Sequence, residues 1–227
     1  MSDATAIRTE AIGPRSETSR VKRLPDRASY DDETVYSILD AGMVGHVGFA
    51  SPSRPLVIPM LYGREDDVIY LHGSVASRLQ RTLARGIDTC LTVTLIDGLV
   101  LARSAFHHSM NYRSAVVLGR ASAVEADEKE HALWIISEHL APGRWAEVRQ
   151  PNRKELAVTA VLRMVIEEAS AKIRQGDPVD DEEDLDLPIW AGVLPCSISW
   201  GSPAGDEHVS ADQPVSASVL ARRRSDR

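Results

Sequence analysis

Three short stretches of the chain carry side chains whose types and spacing suit chemistry on a bound ligand. The first is Tyr70-Leu71-His72-Gly73-Ser74-Val75-Ala76-Ser77-Arg78, which reads as a strand passing through a Gly-Ser turn into a helix. The first N–H groups of a helix have no partners inside it and the helix dipole adds positive potential there, so such an end attracts an anion. Ser74, Ser77 and Arg78 surround that end, and the planar fork of an arginine matches phosphate oxygens. The plainer reading makes Ser74 only the helix cap and Arg78 a solvated cation. The second stretch, Phe106-His107-His108-Ser109-Met110-Asn111-Tyr112-Arg113-Ser114, packs hydrogen-bonding groups between two apolar strands. Adjacent His107 and His108 point to opposite sides of an extended chain, which argues against a metal site made by that pair. A ligand wall or a subunit interface fits this stretch, and so does a polar turn that bonds only to itself. In the third, Leu187 to Pro195, Trp190 is either a large core residue or, with only Ala191 and Gly192 after it, a platform open to a flat ligand. Lys172 adds a further cation, with an ordinary exposed lysine as the default.

What is missing narrows the chemistry. The chain has no Gly-x-Gly-x-x-Gly loop, no Walker-type Gly-Lys-Ser, no His-Glu-x-x-His and no Gly-x-Ser-x-Gly elbow. With 26 Lys plus Arg against 33 Asp plus Glu, the net charge of −7 argues against a dedicated nucleic-acid binder. Cys90 and Cys196 stand far apart without zinc-type neighbours, so neither a disulfide framework nor a structural metal is expected. No apolar run suits a signal peptide or a membrane span, and a cytoplasmic protein is the expectation.

The elements that must hold these residues follow from periodicity and punctuation. Residues 1–20 and 201–227 lack apolar density and read as flexible tails around one folded domain, residues 21–200. A helix starts at Asp31 or Asp32, buries Val35, Ile38 and Leu39, and stops at Gly42. Met43–Phe49, Pro55–Tyr62 and Val68–His72 read as a meander of strands. Ser74 then caps a helix with Ala76, Leu79 and Leu83 on one face, ended by Gly86. Asp97-Gly98 predicts a tight hairpin between Thr89–Ile96 and Leu99–Phe106, and Ser114–Val124 continues the sheet. Asp127 and Glu130 suggest a capping box for a helix with Leu133, Ile136 and Leu140 on its core stripe. Val158–Ile166 is a strand, and Asp177–Asp186, with seven carboxylates in ten positions, is a solvated acidic loop. Many short strands with few helices predict a mainly β fold, an antiparallel barrel with peripheral helices.

With those segments named, the chain from about residue 23 to 195 resembles the pyridoxamine 5'-phosphate oxidase-related superfamily of FMN-binding split barrels. It is most similar to the branch of nitroimidazole-resistance flavoproteins. The carriers are Tyr70-Leu71-His72-Gly73-Ser74 with Ser77-Arg78, Asn111-Tyr112-Arg113-Ser114, Ser170-Ala171-Lys172 and Trp190-Ala191-Gly192. The resemblance implies a split antiparallel β-barrel homodimer with FMN in clefts between the chains. It implies that Ser77 and Arg78 hold the phosphate and that Pro59 and Met60 pass along the ring. His72, Gly73, Ser74, Arg113, Ser114, Lys172 and Trp190 complete the cofactor wall, with His72 beside the flavin as the candidate catalytic residue. Two departures matter: Pro55-Leu56-Val57-Ile58-Pro59-Met60 replaces the oxidase's basic strand motif, and its C-terminal Arg-x-His-x-Arg motif is absent after Trp190. The implied function is therefore flavin-dependent transfer of electrons from a reduced small-molecule donor to a small organic acceptor, not vitamin B6 oxidation. A non-catalytic module that binds or stores flavin or haem is the alternative.

Overall fold

The computed structural model describes Pro14 and residues 16–51, 54–210 and 212–224. A short strand β1 (Ala28–Ser29) leads into α1 (Asp32–Ala41), where the Asp31 carboxylate accepts the Thr34 N–H at 2.8 Å and caps the first turn. Then come β2 (Val44–Ala50), β3 (Pro55–Glu65), β4 (Val68–Ser74), α2 (Arg78–Leu83), β5 (Asp88–Leu101) and β6 (Ser109–Ala123). The chain continues through α3 (Lys129–Leu140), α4 (Arg144–Glu147), α5 (Arg153–Val158), β7 (Thr159–Val165), β8 (Glu168–Arg174), β9 (Gly192–Pro195) and α6 (Ala217–Arg224).

All strand pairs are antiparallel. Following the pairs β6–β7–β4–β3–β2–β5 back to β6 closes a barrel, which β8 with β1 and β9 extend on its flanks. Closure removes sheet edges, the usual liability of an all-antiparallel fold. The barrel is split because one edge of β6 is shared. Tyr112–Leu118 pairs with β8, and Ala121–Ala123 pairs with β7. The changeover falls at Gly119, where a Cβ would stand 2.1 Å from the Val165 carbonyl oxygen, so only glycine lets β6 switch partners there.

Alternation along the strands sorts the two faces. Val47, Leu91, Val117 and Ala169 are in register across four strands and all lie in the core, where α1 adds Val35, Ile38 and Leu39. On the outside, α3 lies against β3 and β4, burying Val68 and Tyr70 beneath Ala132, Ile135 and Ile136. Gly63 permits that contact: a Cβ there would be 2.8 Å from the Ile136 backbone.

The structure departs from the sequence expectations at several points. Asp97-Gly98 is not a turn. It lies inside β5 at a register shift, and the hairpin to β6 closes through residues 102–108, around the 3-10 turn Ala105–His107. Gly98 serves a close approach instead, since a Cβ would be 2.9 Å from the Leu194 carbonyl oxygen on β9. Ser74 ends β4 and its hydroxyl accepts only the Ala76 N–H, while α2 begins four residues later with Ser77 as its N-cap. No capping box forms before α3. The one present joins Asn152 and Glu155 at α5, a helix that three apolar residues in six had not announced. The acidic stretch is tied down rather than wholly solvated, with Asp180 bonded to the Arg103 N–H and guanidinium and Asp181 to His107. Residues 1–13, most of the expected N-terminal tail, lie outside the described residues, as do 225–227. The C-terminal stretch read as a tail carries α6, where Glu147 on α4 accepts both the N–H and the hydroxyl of Ser218.

Candidate functional site

β3 pairs with β4 only from Tyr62–Leu71 to Glu65–Val68, while its first half pairs with β2 alone and β4 keeps β7 on its other edge from Val68 to Ser74. The two strands therefore part, and a gap opens between Pro55–Leu61 and His72–Ser74. Exposure follows the gap: Val57, Pro59 and Leu61 face solvent, and even Ile58, inward by alternation, is 37% exposed. A proline in mid-strand is tolerated because β3 is an edge there.

Around this gap stand five of the expected site residues, Pro59, His72, Ser74, Ser77 and Arg78. Gly73 points inward beneath α2, where a Cβ would meet the Gln80 amide nitrogen at 2.8 Å, so glycine here sets how closely α2 sits on β4. Met60 also turns inward and packs on the core, so only its backbone borders the gap. Ser77 makes no side-chain cap bond and Arg78 has no ion pair among the described residues, which leaves both free for a ligand. At six residues α2 is too short to offer much dipole, and the side chains carry what anion affinity there is. His72 is exposed yet sufficiently desolvated by its surroundings that its pKa is held below the ordinary histidine value, which keeps the imidazole neutral near pH 7.

The remaining expected residues lie elsewhere. Ser114 and Lys172 are paired neighbours on the outer face of β6 and β8, and the Lys172 ammonium donates to the Arg23 carbonyl at 2.8 Å. Arg113 spends its fork on both oxygens of Asp97, at 3.0 and 2.7 Å, and that carboxylate raises its pKa further. Trp190 is no core residue; it is 67% exposed, its ring lying over Gly192. Ser114 and Lys172 share this outer face with Pro59, His46, Thr92, Val116 and Ser170, which are in register across five strands, whereas Arg113 alternates to the other side of β6. Four inter-strand steps of about 4.8 Å make that face about 19 Å across.

Sequence reading passes over His46 and Trp200 and takes Arg222, in the Arg222-Arg223-Arg224 cluster, as part of the flexible C-terminal tail. His46 faces outward between Pro59 and Thr92 and makes no hydrogen bond among the described residues. Trp200 and Arg222, stacked at 5.5 Å, join Thr94, Asp97 and Arg113 around a cavity of about 460 Å³. No local signal links Trp200 to Arg222, which stand 22 residues apart in the chain. Among the described residues no cluster of three metal-ligating side chains occurs, and no helix is long and apolar enough to cross a membrane.

A split antiparallel barrel with an open seam defines the class of fold, and comparison with known proteins agrees. The model of the pyridoxamine 5'-phosphate oxidase family matches residues 31–173, and the chain belongs to that family. The flavocytochrome Anf3 of Azotobacter vinelandii is 42% identical over 91% of this chain and 96% of its own, with a TM-score of 0.85. The FAD and haem binding protein of Mycobacterium smegmatis is 35% identical over 86% of this chain and 96% of its own, with a TM-score of 0.83. A candidate 5-nitroimidazole antibiotic resistance protein of Bacteroides thetaiotaomicron is 25% identical over 64% of this chain and 86% of its own, at 0.55. No curated protein sequence matches.

Proposed function

We propose that this chain is a flavin-binding redox protein, active as a homodimer, that also carries a haem. The observation that carries the flavin reading is the seam between β3 and β4, rimmed by Ser77 and Arg78, whose side chains its own fold leaves unused. The Ser77 hydroxyl and the Arg78 fork would bind a 5'-phosphate, the group common to FMN, expected from the resemblance, and FAD. Pro59 and Leu61 supply a flat apolar wall, and His72 stands at its edge. A bound flavin supplies the hydride and single-electron chemistry, while the protein anchors, orients and desolvates.

Likeness to a flavocytochrome and to an FAD and haem binding protein supports the second group. The residues fit it in one respect. His107, His131 and His139 are bonded to Asp181, Glu65 and the Gly42 carbonyl, and His108 accepts the Ala102 N–H. His46 and His72 keep an uncommitted imidazole on the outside of the barrel, and a neutral imidazole is the form that ligates iron. The same neutral form makes His72 a weaker proton donor to a small organic acceptor than an unperturbed histidine.

The outer face supports the dimer reading. Val57 is 63% exposed, Leu61 follows Pro59 on the same side of β3, and exposed Val44 pairs with Leu61, so these side chains form an apolar row that a second copy would cover.

The absorption spectrum of freshly purified full-length protein tests the reading. Flavin bands with a Soret band are expected, and the Soret band is lost in His46→Ala or His72→Ala. Anaerobic mixing with NADPH, NADH or a reduced deazaflavin then reads turnover, and a flavin that none of them reduces makes the chain a binding module. A colourless protein that takes up neither FMN nor FAD overturns the proposal.

A further inference from the structure

We propose that the cavity between α3, α6 and residues 200–203 binds a monocarboxylic acid with an apolar body, its carboxylate held by Arg223 at the mouth. The site shares no residue with the seam around Pro59, His72, Ser77 and Arg78, so it stands or falls apart from the flavin reading.

The cavity exists because the C-terminal stretch folds back onto the helices. Glu147 on α4 accepts the Ser218 N–H at 3.0 Å, Arg144 donates to the Ser216 hydroxyl, and Arg222 lies 5.5 Å over the Trp200 ring. These ties hold α6 and residues 200–203 near the end of α3 but leave about 400 Å³ between them. That volume falls within the roughly 300–1,000 Å³ of small-molecule sites. Leu140 from α3, Trp200 and Pro203 from the returning chain and Val219 from α6 form the apolar walls. Leu140 and Trp200 are still 39% and 38% exposed, so folding leaves their surface for something else to cover. Because these walls are concave and come from three separate segments, they suit a single small molecule better than a flat surface.

The polar groups around this recess fix the sign of its ligand. Ser202, Arg222 and Arg223 contribute to the lining and no carboxylate does. Arg222 is engaged with the Trp200 ring. Arg223 is exposed and has no ion pair among the described residues, and the Ser202 hydroxyl makes no hydrogen bond among them. In a chain of net charge −7, a recess edged by two arginines and no acid draws in an anion. One free guanidinium fork matches the two oxygens of one carboxylate, and a serine hydroxyl can donate to either of them. The apolar walls then take the body of the same molecule out of water.

The test titrates full-length protein calorimetrically with octanoate and with octanol, which share an apolar chain and differ in charge. Octanoate is expected to bind about tenfold more tightly than octanol, from one charge-assisted contact. It is also expected to bind about tenfold more tightly than hexanoate, from two further buried methylene groups. Arg223→Ala lowers octanoate affinity about tenfold and leaves octanol within about twofold. Val219→Trp fills the recess and removes binding of both, and Leu140→Trp does so from α3 if Val219→Trp loosens α6. Flavin content stays at the wild-type level in all three variants. Absence of octanoate binding, equal affinity for octanoate and octanol, or an Arg223→Ala protein that binds octanoate as wild type does overturns the inference. So does retention on phosphatidylglycerol vesicles without octanoate binding, which would make the recess a membrane contact. A Val219→Trp protein of lower oligomeric mass with unchanged octanoate affinity would place a second copy there, and that outcome also overturns it.

Discussion

Replacing Arg78 with alanine isolates the phosphate contact on which the flavin assignment turns. The side chain is exposed, has no ion pair among the described residues and sits at the first position of α2, where alanine is an excellent helix former. Stability should therefore be unchanged, and whatever is lost belongs to binding. A charge-assisted hydrogen bond contributes about 1.5–3 kcal/mol, which at about 1.4 kcal/mol per decade is a rise in Kd of roughly 12- to 140-fold. Arg78→Lys keeps the charge but not the fork, and its loss should fall between wild type and alanine. Arg113→Ala is the contrast: that guanidinium is already held by Asp97, so its removal should cost less flavin affinity than the loss of Arg78. The assay is quenching of flavin fluorescence, titrated at two salt concentrations, because losing one phosphate contact also flattens the salt dependence. A folded Arg78→Ala protein with wild-type Kd would refute the assignment of the phosphate to this end of α2.

Other consequences are independent of the ligand. Gly119→Ala puts a methyl group onto the Val165 carbonyl at the point where β6 changes partners, and a loss of about 1–3 kcal/mol is expected in urea denaturation. Burial holds the His139 imidazole below the ordinary histidine value, so the unfolded chain takes up its proton first as pH falls. Its contribution is complete above about pH 6.5 and is lost as pH drops toward the lowered folded value, so denaturant midpoints should fall between about pH 7.5 and about pH 5.5. His139→Gln should flatten that fall. Asp180→Ala unties the acidic loop from Arg103, and limited proteolysis should then cut within residues 177–186 faster than in wild type.

The sequence by itself determined the residues that bury and the order of the main elements. The stripe of Val35, Ile38 and Leu39 and the β-branched runs from Val44 to Ser74 specify a capped helix and a meander wherever they pack, because side-chain period is a local property. The Ser77-Arg78 pair and its neighbour His72 stand out in the sequence too, as short polar interruptions at a strand-to-helix junction, and their role as a binding site is a proposal. Tertiary structure decided what lies beyond that range. Asp97-Gly98 has the chemistry of a hairpin turn, but β9 arriving beside it makes the glycine a point of close approach, and the strand runs on. Local pattern likewise left Met60, Arg113 and Lys172 as open as Pro59 and Arg78. Only packing against the core, the carboxylate of Asp97 and the carbonyl of Arg23 separate the committed groups from the free ones. The unpartnered amide of Gln80 is invisible in sequence for the same reason: whether a polar group is satisfied depends on what the rest of the chain brings to it, and that is a matter of three-dimensional contact.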